Sequence, residues 1–126
     1  TYIEPQAYLT CWVALTDTDE ENGCPWVMPG LHQRGTLFHD STDLGHEIPL
    51  DASEAIPLPL KAGSIAIFSS LTPHRTGPNL SEGIRKSYIL QYAPEGSKRV
   101  ISQSLAEDLN DETRQFLILK DGKEVN

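Results

Sequence analysis

Nine prolines and nine glycines are scattered through 126 residues, and they leave no apolar run long enough for an extended helix. Proline removes a backbone donor and blocks a helix interior, so this punctuation favours short, separately turned segments. The runs between the breaks are "AYLTCWVALTD" (7–17), "CPWVMPG" (24–30), Ile65–Phe68 and "RKSYILQYA" (85–93). They are rich in aromatic and β-branched residues and end in turn signals, so each reads as a strand. "AIPLPL" (55–60), broken by Pro57 and Pro59, reads as an edge-like segment, followed by a turn at Lys61-Ala62-Gly63. Residues 31–53 are polar and aperiodic, a long loop excursion of the kind that often carries function. Residues 97–126 form a tail in which "SQSLAEDLNDETRQFLIL" is expected to be partly helical and "LKDGKEV" to make a tight Asp-Gly hairpin. With no repeat and no linker composition, the expectation is a single domain, 1–126. Its fold class is all-β, a sandwich or jelly roll with a short helical C-terminal tail.

Composition narrows the function classes. The net charge of −8 repels phosphate backbones, which argues against nucleic acid as a partner. No apolar stretch approaches the roughly 18 residues of a membrane span, and no signal pattern opens the chain. Cys11 and Cys24 lie outside any C-x-x-C pair and read as free thiols of a reducing, cytoplasmic setting. Nothing in the sequence marks an oligomeric state.

Two residues carry the chemistry. His74 sits in the polar stretch "TPHRTGPN", read as a turn; taken alone it is an ordinary turn histidine. Arg85 opens a strand whose alternation puts Arg85, Ser87, Ile89 and Gln91 on one face. A guanidinium aimed inward needs a carboxylate or phosphate, because an unpaired buried charge is costly. An arginine paired at the surface with Glu82 or Glu95 is the plainer reading of Arg85 by itself. Trp12 shares a face with Tyr8, Thr10 and Ala14, a mixed surface suited to a cavity wall or to plain core packing.

Taken in order, "WVALTDTDEENGCPWVMPGLH", "LKAGSIAIFSS" and "PHRTGPNLSEGIRKSYILQYA" resemble the phytanoyl-CoA dioxygenase family, iron(II)- and 2-oxoglutarate-dependent oxygenases built on a double-stranded β-helix. The resemblance runs from about Ala7 to Ala93, and its most specific pieces are "ENGCPWVMPG" and the His-x10-Arg spacing. It implies that His74 is the second iron-binding histidine and that Arg85 anchors the distal carboxylate of 2-oxoglutarate. It also implies that Thr76 places a hydroxyl near the co-substrate and that Trp12 lines the same pocket. The implied reaction hydroxylates a small metabolite or acyl conjugate with O₂, releasing succinate and CO₂. Such enzymes hold iron with two histidines and one carboxylate, leaving positions open for the keto-acid and O₂.

The family's other two ligands come as His-x-Asp shortly before the strand that carries Trp12. His32, His39 and His46 stand in "HQR", "HDS" and "HEI", none with an acid two residues on, and His39 and His46 read as surface or lid residues. The expectation is that His-x-Asp lies upstream of Thr1, that this chain is the C-terminal part of an oxygenase, and that alone it is inactive. Leu31 replaces the serine of the family's Pro-Gly-Ser-His, and Ser64 replaces the acid of Ala-Gly-Asp. The alternatives are a halogenase on the same scaffold, a non-catalytic β-sandwich binding module and, more weakly, a metal-binding cupin outside the oxygenases.

Overall fold

The computed structural model of the protein describes residues 2–4, 7–43, 45–102, 104–109, 111, 113 and 115–125. In chain order the strands are β1 (Tyr2–Glu4), β2 (Leu9–Ala14), β3 (Pro25–Val27), β4 (Asp40–Thr42), β5 (Gly45–Glu47) and β6 (Ile56–Pro57). There follow β7 (Ile65–Ser69), β8 (His74–Thr76), β9 (Ser87–Tyr92), β10 (Lys98–Ser102), β11 (Leu105–Asp108), β12 (Leu119–Lys120) and β13 (Lys123–Glu124). Two compact units form, one from Leu9–Gln91 and the other from Thr1–Tyr8 with Tyr92–Asn126.

The first unit is two three-stranded sheets, ordered β7-β2-β9 and β6-β3-β8, and a separate β4-β5 hairpin. Strand β2 runs antiparallel to β7 with Thr10 opposite Phe68 and Trp12 opposite Ala66. Alternation sends Thr10, Trp12, Ala14 and Ala66 into the interior, all buried, while Leu9, Ile65 and Ile67 stay exposed on the other face. The core is Trp12, Ala14 and Ala66, packed by Leu58, Leu60 and Phe68. Leu58 is tied to β3 by its N–H bond to the Pro25 carbonyl at 2.8 Å, so the short sheet closes over the long one. This packing of two sheets around one tryptophan is the expected all-β core.

In the second unit the helical expectation for the tail is overturned. Strand β10 pairs antiparallel with β1 and with β11, matching Lys98 to Asp108, Arg99 to Glu107 and Val100 to Ala106. Leu105 and Leu109 have the i, i+4 spacing of a helix, yet an antiparallel ladder to the preceding β-prone "RVI" recruits the segment instead. The opposed pair Arg99–Glu107 adds an ion pair at 2.7 Å. Among the described residues there is no α-helix. The hairpin expectation holds: β12 and β13 pair around Asp121 and Gly122, whose φ of 50° and 74° are the two positive values a type I′ turn requires.

The 31–53 excursion carries local structure. A 3-10 turn at Leu31–Arg34 and the β4-β5 hairpin precede a second 3-10 turn at Ala52–Glu54, whose Asp51 side chain accepts from the Ser53 N–H at 2.9 Å. The rings of His39 and His46 meet edge-on at 4.8 Å, a contact within the excursion itself.

Candidate functional site

His74 opens β8 rather than sitting in a turn, which corrects the sequence expectation. Pairing with β3 makes the strand: Val27 lies opposite His74, Trp26 opposite Arg75 and Pro25 opposite Thr76. Three residues between turns are too few to show a period in the sequence; the partner strand supplies the order. His74 and Thr76 are two apart and share a face, both exposed, whereas Arg75 points the other way and stacks its guanidinium 5.8 Å from the Trp26 ring centroid.

The His74 ring is already oriented. Its Nδ1 lies 2.8 Å from the Thr72 carbonyl oxygen, which can only accept, so Nδ1 carries the proton. Nε2 then keeps its lone pair, the tautomer that a metal-binding imidazole needs. The Phe68 ring stands against it with centroids 4.8 Å apart. That donor set fits one position of an iron site. Among the described residues no group of three or more His, Cys, Asp or Glu side chains converges to hold a metal.

Arg85 lies two residues before β9, which begins at Ser87 rather than at Arg85 as the sequence suggested. The ladder nonetheless reaches it, because the Leu15 N–H donates to the Lys86 carbonyl at 3.0 Å and the Lys86 N–H to Thr16 Oγ1 at 3.0 Å. Its side chain is half-buried, and Nη1 donates to the Gly23 carbonyl at 2.6 Å. Gly23, at φ 85°, packs so closely on Gly77 and Pro78 that a β-carbon there would collide with both carbonyl oxygens. Gly77 follows Thr76 directly. Arg85 is thereby brought to the Thr76 end of β8, while His74 occupies the other end.

Trp12 is 3% exposed, at the centre of the core. Phe68 packs on that core and touches His74, so it links the tryptophan cluster to the histidine. Reading the sequence missed Phe68, the Thr72 carbonyl and Gly23. None has a signature of its own; only "ENG" among the family-like pieces marked the Gly23 turn.

The pattern that describes the phytanoyl-CoA dioxygenase family matches residues 1–87. Methylphosphonate hydroxylase of Gimesia maris is 34% identical over 85 residues, covering 68% of this chain and 33% of that protein. Phytanoyl-CoA dioxygenase 1 of Oryza sativa subsp. japonica is 31% identical over 86 residues, covering 64% of this chain and 31% of its own length. Among solved structures, EvdO2 of Micromonospora carbonacea var. aurantiaca, complexed with 2-oxoglutarate, superposes with a TM-score of 0.65. It is 29% identical and covers 76% of this chain and 41% of that one. The chain thus spans about a third of the length of the curated relatives it matches.

Proposed function

We propose, from the premise that this chain belongs to the phytanoyl-CoA dioxygenase family, that it contributes the co-substrate half of an iron(II)- and 2-oxoglutarate-dependent oxygenase. The observation that carries the reading is the placement of His74 and Arg85 at opposite ends of β8, with Thr76 between them on the histidine's face. From His74 to Gly77 the strand advances roughly 10 Å at about 3.3 Å a residue, a span that suits a five-carbon diacid stretched between a metal and a guanidinium. EvdO2, which shares the fold, is complexed with 2-oxoglutarate, in support of the same ligand here.

Iron(II) held with 2-oxoglutarate supplies O₂ activation, with succinate and CO₂ as co-products. The residues of this chain bind and orient. His74 presents Nε2 because Thr72 fixes the proton on Nδ1. Arg85 offers its remaining donors to the distal carboxylate, which a planar fork grips with two parallel hydrogen bonds. Thr76 places a hydroxyl between the two. Phe68 packs against the His74 ring, with the Trp12 core behind it. The substrate is a small metabolite or acyl conjugate, a class that includes the phosphonate named for the Gimesia maris relative.

The test is succinate formation by the native polypeptide that carries this chain, loaded with iron(II). Arg85→Ala is expected to raise the KM for 2-oxoglutarate by on the order of a hundredfold, the loss of a charge-assisted bidentate pair. An unchanged KM in that variant would remove Arg85 from the site.

A further inference from the structure

We propose that the Gly23 carbonyl is a positioning group for Arg85, and that the 17–24 turn exists to hold that carbonyl still. The inference rests on the reading of Arg85 as the 2-oxoglutarate anchor. A guanidinium is planar and rigid, so engaging one of its five donors fixes the direction in which the others point. Gly23 takes that one donor, from Nη1 at 2.6 Å.

The carbonyl is held from three sides. Asp19 and Asn22 bond reciprocally: the Asp19 N–H donates to Asn22 Oδ1 at 3.0 Å and the Asn22 N–H to Asp19 Oδ1 at 2.9 Å. Asn22 Nδ2 donates to the Asp17 carbonyl at 3.0 Å, and the Cys24 N–H to the Asp19 carbonyl at 2.7 Å. From the facing loop, the Leu80 N–H donates to the Glu21 carbonyl at 2.9 Å. Gly77 and Pro78 close the remaining side, against a glycine whose positive φ and missing β-carbon are both required. An anchor ordered before its ligand arrives loses less side-chain freedom on binding, which raises affinity without a new contact.

Anaerobic calorimetry of 2-oxoglutarate binding to the iron(II)-loaded native polypeptide tests this, alongside melting of the metal-free protein. Gly23→Ala risks misfolding, so Asn22→Ala is the informative variant. It is expected to weaken 2-oxoglutarate about five- to tenfold, the misalignment of one charged hydrogen-bonding group, while kcat at saturating 2-oxoglutarate stays near wild type. In an Arg85→Lys background the same change is expected to add nothing, because the group it positions is gone. Equal weakening in both backgrounds, or unchanged affinity despite a lowered melting temperature, would overturn the positioning role. Wild-type affinity in Arg85→Lys alone would overturn the co-substrate reading, and the positioning role with it.

Discussion

Individual side chains here are set by their nearest backbone groups. His74 takes its tautomer from the Thr72 carbonyl and Arg85 its direction from the Gly23 carbonyl. Neither dependence is visible in residue types, since any residue supplies a carbonyl. Cys24 shows the same local control. It is fully buried, and desolvation, with a smaller push from the charges of Glu20 and Asp19, raises its thiol pKa. A raised pKa leaves less thiolate, the reactive form. Iodoacetamide at neutral pH is therefore expected to modify half-buried Cys11 in the native protein and to spare Cys24 until denaturant is added, as peptide mass mapping would show. Native labelling of Cys24 at the rate of Cys11 would contradict this.

At the scale of elements, turns are what place the strands. Asp17 joins two of them: Oδ1 accepts from the Ala62 N–H at 2.8 Å and Oδ2 meets Lys61 Nζ at 2.8 Å. Those bonds, the one from Lys61 first, hold the Asp17 carboxyl below its ordinary value. A carboxyl depressed in the folded state stabilises the fold above its unfolded pKa and loses that contribution as pH falls through the folded one. Acid unfolding should show it: below about pH 4 the wild type loses stability more steeply than Asp17→Asn. Parallel acid limbs in the two proteins would remove Asp17 from that role. Strand β2, β7 and the Asp121-Gly122 hairpin were legible because alternation and turn chemistry are local signals. Strands β8 and β11 were not. One is three residues long and owes its state to a partner strand distant in the sequence, while the other carries helix-like leucine spacing and is drawn into a ladder with the neighbouring β10.

For the molecule as a whole, the family and the all-β fold were readable because they rest on an ordered set of segments, while the geometry of the site rests on contacts between them. His74, Arg85 and Thr76 were singled out as candidates by motif; that Gly23 and Gly77 bring Arg85 to the end of β8 required the folded chain. Trp12, whose face suited either a cavity wall or core packing, is 3% exposed in the core and joined to His74 through Phe68. His74 is proposed to hold iron(II) beside a bound keto-acid. The most direct test is anaerobic titration of the iron(II)-loaded native polypeptide with 2-oxoglutarate, following the visible absorption that arises when a keto-acid chelates iron(II). That absorption is expected in the wild type and is lost, together with bound iron, in His74→Ala. Full absorption and full iron content in His74→Ala would contradict that role.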